Sequence, residues 1–166
     1  NAGGKFARLG LPLVPSITTS FHGPHGILPG PDGRLYLLSA AACEVAAYDP
    51  RTGAFEFFPT GGGGGLYPHT GRFDADGVLW YTLAFSNQVA RLDPKTGQMK
   101  EFPVAKPRSG PHGLVEDKAG NVWFTANQSR YVGKLDPKTG KVTEYPIPEE
   151  VRGPHTPIFD QKGRLF

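Results

Sequence analysis

Short apolar runs of four or five residues recur along the chain, separated by polar turns that contain glycine. Residues 35–38, 78–82 and 122–125 are rich in the aromatic and branched side chains that strands favour. Residues 98–102 and 141–145 instead alternate apolar and polar positions, as a strand with one wet face does. The pattern predicts an all-β chain of short antiparallel strands.

The turns between these runs repeat as well. The sequence Asp-Pro-(Arg/Lys)-Thr-Gly begins at Asp49, Asp93 and Asp136. Proline presets φ, the aspartate can accept hydrogen bonds from the turn backbone, and glycine closes the turn. A second turn ends in glycine just before each apolar run, where a tight hairpin requires positive φ. These turns predict two hairpin connections in every unit.

The tripeptide Pro-His-(Gly/Thr) occurs four times, and its prolines are 44, 43 and 43 residues apart. A period in the forties is typical of a repeat architecture. Each period holds four short strands and has no room for the helices of ankyrin, tetratricopeptide or HEAT repeats, so it predicts a β-propeller blade. We expect complete blades at about residues 23–59, 67–103 and 110–146, with partial blades at 1–22 and 153–166.

Composition and charge narrow the function classes. The chain has 166 residues and a net charge of +3 without long basic runs, which argues against nucleic-acid binding. It has no apolar stretch of the roughly 20 residues that a membrane helix needs. No basic leader or apolar signal core follows Asn1, and we expect a processed protein that is secreted or periplasmic. The one cysteine, Cys43, excludes an internal disulfide and is expected to be a packed thiol.

Three segments carry a family resemblance. Residues 110–114, 120–125 and 132–146 together resemble the blade consensus of the virginiamycin B lyase (streptogramin lyase) family, and the likeness extends over essentially the whole chain. NHL-repeat and gluconolactonase-like propellers are the groups most easily confused with it. The resemblance implies a seven-bladed propeller of which this chain carries a little over half. It also implies metal-assisted elimination, in which glutamates hold Mg²⁺ and a histidine base opens a cyclic depsipeptide ester.

The chain departs from that family at the end of the second strand. Family blades commonly read Trp-Phe-Thr-Glu there, whereas we align Ala40, Leu83 and Ala126 with the glutamate. Glu44 and Glu116 are acids in nearby segments, and we expect Glu116 to be exposed. The carboxylates that the resemblance implies for Mg²⁺ are thus missing at these positions, and the full site can lie on blades outside this chain.

The repeated histidines are the candidate functional residues. The first strand of a propeller blade lines the central channel, so the four motifs lie around one mouth of it, next to the loops between second and third strands. Convergent polar groups at a concave mouth are the usual binding-site hypothesis. The catalytic candidates, of which at most one or two are expected to act, are His25, His69, His112 and His155. The substrate-binding candidates are Asn87, Gln88, Asn127, Gln128 and Arg130.

Other roles for the histidines remain open. Each ring can be a consensus residue that packs on its proline and bonds to the backbone of the next blade. A shared transition metal would need imidazole nitrogens within about 2.1 Å of the ion, and equivalent positions on a large ring lie too far apart unless the side chains reach inward. His22 lies outside the repeat and is expected in a loop, while Trp80 and Trp123 are expected to fill the core between blades.

An incomplete ring leaves strand edges and a blade face uncovered. We therefore expect missing blades, a homo-oligomer or a partner chain to close it, with the glycine run at residues 61–65 as a connector. Three function hypotheses follow: a lyase-like enzyme with a small-molecule or peptide ligand at the channel mouth, a non-catalytic binding or assembly module, and a transition-metal protein that uses the histidines.

Overall fold

The computed structural model describes residues 23–60 and 66–166. These residues form three four-stranded antiparallel sheets, and the predicted all-β fold built from four-stranded propeller blades is confirmed. The partial blade predicted at residues 1–22, the loop position of His22 and the glycine connector lie outside the described residues. In the part of the chain that the structure describes, no helix has the length and apolar character needed to cross a membrane.

Each sheet is a meander in which consecutive strands pair. The first blade consists of β1 (Pro24–Pro29), β2 (Leu35–Ser39), β3 (Glu44–Tyr48) and β4 (Phe55–Pro59). The second consists of β5 (Pro68–Phe73), β6 (Leu79–Leu83), β7 (Gln88–Leu92) and β8 (Met99–Pro103). The third consists of β9 (Pro111–Glu116), β10 (Val122–Ala126), β11 (Tyr131–Leu135) and β12 (Val142–Pro146).

The hydrophobic core lies between neighbouring blades. One buried cluster joins β2 and β3 of the first blade to β6 and β7 of the second, through residues such as Tyr36, Val45, Leu79 and Tyr81. A second cluster joins Trp80 and its blade to the third blade. The sheets therefore stack face to face, and the first strands β1, β5 and β9 lie next to one another as the inner strands.

The turns form as their sequences predict. In each Asp-Pro turn the glycine N–H donates to the aspartate carbonyl at 2.8 Å, and the aspartate side chain accepts the N–H two residues on at 2.8 or 2.9 Å. Gly53, Gly97 and Gly140 all have φ between 71° and 74°, the left-handed conformation that glycine adopts without steric cost.

The two tryptophans differ from each other. Trp80 is buried as predicted, but Trp123 is only half-buried and stacks on the exposed ring of Tyr145. Both indole N–H groups donate to turn aspartates, Asp74 and Asp117, at 2.9 and 2.8 Å. The tryptophans therefore brace the hairpin turns at the end of the blade away from the Pro-His motifs.

The fourth unit is a short continuation of the repeat. Residues 153–166 carry the fourth Pro-His motif and one isolated bridge between Phe159 and Leu165. The turn at Asp160 between them repeats the Asp-based geometry of the earlier blades. Its motif lies against β9, since a Cβ on Gly113 would lie within van der Waals overlap of the His155 carbonyl oxygen.

Candidate functional site

Four imidazole rings form a continuous row at the start of the inner strands. The ring centroids of His25 and His69 are 3.6 Å apart, those of His69 and His112 are 3.9 Å apart, and those of His112 and His155 are 3.9 Å apart. The side chains reach inward far enough to touch their neighbours in sequence order. We call these four residues the histidine row.

A β-bulge sets the direction of these side chains. The pairing of every inner strand with its second strand shifts register within the Pro-His motif, between Pro24 and Gly26 in the first blade and between Pro68 and Gly71 in the second. The third blade has the same shift opposite residues 124–126. A bulge turns a side chain out of the ordinary alternation of a strand. It lets successive histidines project into one row.

The Nδ1 atoms of the row have different partners. Nδ1 of His69 lies 2.9 Å from Thr70 Oγ1, and that of His155 lies 3.0 Å from Thr156 Oγ1. His25 Nδ1 instead lies 3.3 Å from the backbone carbonyl of His69. Within residues 23–60 and 66–166, His112 Nδ1 is buried without a hydrogen-bond partner.

The backbone carbonyls of the histidines also differ in their side-chain donors. Thr82 and Thr125 donate to the carbonyls of His112 and His155 in the next unit, at 2.8 and 2.7 Å. The first blade has Leu38 at the corresponding place in β2, which has no hydroxyl. The carbonyl of His69 accepts from His25 Nδ1.

That hydrogen bond fixes the tautomer of His25. A carbonyl oxygen can only accept, so Nδ1 carries the proton, and in the neutral ring the free lone pair lies on Nε2. The side chain is exposed. His25 therefore presents a proton-accepting nitrogen to solvent while its other nitrogen is held by the protein.

The middle of the row is kept uncharged. Burial, together with the positive charges that His112, His25 and His155 can carry, lowers the pKa of His69 to about 4. Burial and the neighbouring His155 also lower the pKa of His112. At neutral pH these two imidazoles are unprotonated, so they do not repel a proton that arrives elsewhere in the row.

The predicted substrate-binding side chains lie on the same side of the blades as the row, but each contacts neighbouring protein groups. Asn87 binds the connection into the third blade, through the carbonyls of Val104 and Lys106 at 2.8 and 2.9 Å and the N–H of Ser109 at 2.8 Å. Gln88 donates to Glu101 within its own blade at 2.9 Å.

The third blade repeats this arrangement. Asn127 donates to the Pro154 carbonyl at 3.3 Å, and Arg130 donates to the Glu149 carbonyl at 3.2 Å. The Gln128 side chain packs over Gly110, where a Cβ would lie 2.9 Å from its Cγ. These loops hold the Pro-His motifs in place, and their role in binding stays a prediction.

The strand register corrects one alignment. Ser39, Leu83 and Ala126 are the residues opposite the motif prolines, so Ser39 and not Ala40 occupies the family's glutamate position in the first blade. The alignment was wrong by one residue. The first blade has Tyr36 where the second has Trp80, so the sequence lacked the tryptophan that marks this strand position. The side chain there is a buried hydroxyl in one blade and apolar in the other two.

The described residues do not fit the Mg²⁺ that the family resemblance implies. A hard cation needs several oxygen ligands, and residues 23–60 and 66–166 contain no group of three or more His, Cys, Asp or Glu side chains arranged to hold a metal. Glu44 is buried opposite Ser39. Glu116 is half-buried instead of exposed at the far end of β9, where burial and the acids of neighbouring turns raise its pKa.

Two aromatic residues beside the row were missed from the sequence. Tyr67 stacks on Phe85 with ring centroids 4.3 Å apart and lies 5.8 Å from His69 and 6.4 Å from His25. The signal that could have found them is a break in the repeat: Tyr67 stands before the motif proline, where the other three units have glycine.

The family model and several of the similar solved structures agree with each other. The family model described as the virginiamycin B lyase family matches residues 4–166. A streptogramin B lyase structure is 26% identical with a TM-score of 0.79, and covers 87% of this chain and 47% of its own. Selenomethionine-substituted virginiamycin B lyase from Staphylococcus aureus is 24% identical with a TM-score of 0.77, covering 87% and 48%.

A third structure adds a ligand. It is a catalytically inactive histidine-to-alanine variant of the Staphylococcus aureus enzyme with quinupristin, 24% identical with a TM-score of 0.74, covering 87% of this chain and 47% of its own. No curated protein sequence matches the chain significantly. The chain spans about half the length of these solved relatives.

Proposed function

The chain belongs to the virginiamycin B lyase family, and we propose that its histidine row binds a small cyclic ester or peptide at the channel mouth and opens it by C–O elimination. The observation that carries the proposal is the difference between the two ring nitrogens of His25. Its Nδ1 is held by the His69 carbonyl, and its exposed Nε2 is free to accept a proton. A base held in this way by a second group is the arrangement expected of general-base catalysis.

The proposed reaction needs one base and consumes no water. Nε2 of His25 removes the proton from the carbon that lies between a carbonyl and the carbon bearing the ester oxygen. The electron pair of that C–H bond becomes a C=C bond, the C–O bond breaks, and the oxygen leaves with its electrons as a carboxylate. The proton on Nε2 then passes to solvent, and the linear product is an isomer of the ring.

The neighbours of His25 support this role. When Nε2 takes the proton, the imidazolium keeps its Nδ1 hydrogen bond to the His69 carbonyl, which stabilises the positive charge. The ring of His69, 3.6 Å away, stays neutral because of its lowered pKa, so no second positive charge opposes protonation. Because the described residues do not supply an Mg²⁺ site, no step is assigned to a metal.

A non-catalytic binding module is the second candidate. It is favoured by the side chains of Ser39, Leu83 and Ala126, which bring no carboxylate to the positions where the family carries glutamate. In that case the row would bind a ligand through its Nε2 atoms and leave it unchanged. The transition-metal hypothesis has less support, because the described residues contain no group of His, Cys, Asp or Glu side chains arranged to hold a metal.

The test uses quinupristin, which is present with one of the solved relatives. The purified protein is incubated with it in heavy-oxygen water, and the products are separated and weighed by mass spectrometry. Elimination predicts a linear product of unchanged mass with a new C=C absorption and no heavy oxygen. Hydrolysis would add one labelled water and contradict the proposed reaction.

Two further outcomes separate the candidates. Binding of quinupristin without any product would favour the non-catalytic module over the lyase. Neither binding nor product, in a protein that remains folded by circular dichroism, would contradict both.

A further inference from the structure

Tyr67 has a backbone conformation that only glycine adopts at the matching position of the other three units. Its φ is 65°, whereas the residues before the other three motif prolines are Gly23, Gly110 and Gly153 with φ of 52°, 58° and 59°. A bulky residue in this left-handed region is strained, and such strain is retained mainly at functional sites. Glycine would satisfy the fold here, as it does in the other units.

The side chain of Tyr67 lies beside the histidine row and contacts an exposed aromatic ring, that of Phe85. Tyr67 lies beside His25 and His69, and its ring stacks on Phe85 with 28° between the planes. Phe85 is 65% exposed, and the neighbouring Leu66 is 45% exposed. A phenylalanine so open to water stabilises little by burial.

Backbone hydrogen bonds hold the two rings in place. Ala84 N–H donates to the Tyr67 carbonyl at 3.1 Å, and Phe85 N–H donates to the Leu66 carbonyl at 3.3 Å. The Ser86 hydroxyl accepts the N–H of Leu66 at 3.1 Å. The connection into the second blade is therefore tied to the loop that carries Phe85, and the stacked pair is formed before any ligand arrives.

We propose that Tyr67 and Phe85 form an aromatic shelf, a subsite that stacks a planar aromatic group of the ligand next to the histidine row. The inference rests on the proposed function, since it assumes that the mouth binds a ligand. Aromatic rings prefer offset-stacked or edge-to-face contacts with one another, and the outward face of Phe85 offers such a contact. The shelf would select ligands that carry an aromatic group near the carbon from which His25 removes the proton.

The test compares two small probes, N-acetyl-tryptophanamide and N-acetyl-leucinamide, which share a backbone and differ in the aromatic ring. Their binding is measured by calorimetry on the unmodified protein and on Tyr67→Gly, Phe85→Leu and Tyr145→Leu. Tyr145 is the matched control because it is also an exposed, stacked aromatic residue, but on the outer strand of the third blade.

The shelf predicts that the unmodified protein binds the tryptophan probe about fivefold more tightly than the leucine probe. Tyr67→Gly and Phe85→Leu should each reduce that preference by threefold or more, and Tyr145→Leu should keep it. Because glycine relieves the strain at position 67, the Tm of Tyr67→Gly should be equal to or higher than that of the unmodified protein.

Several results would overturn the shelf. They are no preference for the tryptophan probe in the unmodified protein, a preference that survives both substitutions, or a Tm of Tyr67→Gly that falls together with binding. Ring opening of quinupristin is measured separately on the same variants. An aromatic preference without ring opening would refute the lyase reaction and keep the shelf, whereas ring opening with no effect of either substitution would refute the shelf alone.

Discussion

The hydroxyl of Thr82 donates a 2.8 Å hydrogen bond to the backbone carbonyl of His112, across the interface between the second and third blades. The same hydroxyl accepts the N–H of Thr70 at 3.2 Å, within its own blade. Thr125 repeats this bridge toward His155. The positions of His112 and His155 thus depend on threonines in the blades before them, whereas the carbonyl of His69 accepts from His25.

Replacing Thr82 by valine should destabilise the protein by about 1–3 kcal/mol, because the His112 carbonyl and the Thr70 N–H both lose a buried partner. Urea denaturation measures the change. Thr143→Val, the same substitution at an exposed position of β12, should stay within about 0.5 kcal/mol of the unmodified protein. Equal effects of the two substitutions would mean that the bridge contributes nothing.

The lowered pKa of His69 makes stability depend on pH. The unfolded chain takes up a proton near the ordinary pKa of about 6.5, whereas folded His69 resists protonation down to about 4. The contribution of His69 to the free energy of unfolding is therefore fully present above pH 6.5. As pH falls from 6.5 to 4, the free energy of unfolding decreases by on the order of 2–3 kcal/mol.

Unfolding free energies of the unmodified protein and His69→Gln, measured across this range, isolate that contribution. The difference between the two should change steadily between pH 6.5 and pH 4 and be constant above. A difference that does not vary with pH would show that His69 titrates alike in the folded and unfolded states.

His25→Ala should slow ring opening of quinupristin by about 10²- to 10⁴-fold, the usual contribution of a general base. Binding of quinupristin should change much less, because three imidazoles of the row and the aromatic shelf remain. His155→Ala is the control, since its ring lies at the other end of the row. If His155→Ala lost the activity and His25→Ala kept it, the base would be assigned to the wrong histidine.

The opposite face of the blades is expected to support the fold only. Burial alone would raise the pKa of Asp117, but hydrogen bonds from Trp123 and from Asn121 outweigh it and lower the pKa. Asp117→Ala should therefore destabilise the protein by about 2–4 kcal/mol, seen as a lower midpoint in urea. At urea concentrations where both proteins are folded, Asp117→Ala should open quinupristin at the same rate as the unmodified protein. A slower rate would mean that this face also contributes to function.

Local chemistry made most of the fold predictable. The Asp-Pro turns and the glycine-closed hairpins depend on residues within five positions of each other, and the structure forms them as the sequence indicates. The period of the Pro-His motif likewise marked the inner strands. The tautomer of His25 could not be predicted, because it depends on the carbonyl of His69, which meets His25 only after the blades stack.

The aromatic shelf could not be predicted from the sequence for a different reason. Tyr67 and Phe85 are 18 positions apart in the sequence, and each taken alone is an ordinary apolar residue of a loop. The repeat marks Tyr67 as the exception among three glycines, but its positive φ and its stacking on Phe85 come from the pairing of two connections. The Ser39 alignment failed for a related reason, since only strand pairing fixes register.

A titration of the histidine imidazole signals with quinupristin, followed in a long-range proton–nitrogen correlation spectrum, tests most directly whether the row is the ligand site. The imidazole nitrogens of the row should shift, most of all at His25, while the indole signals of Trp80 and Trp123 on the opposite face should stay in place. Shifts at the indoles with unchanged imidazoles, or no shifts at all, would contradict the row's role as the ligand site.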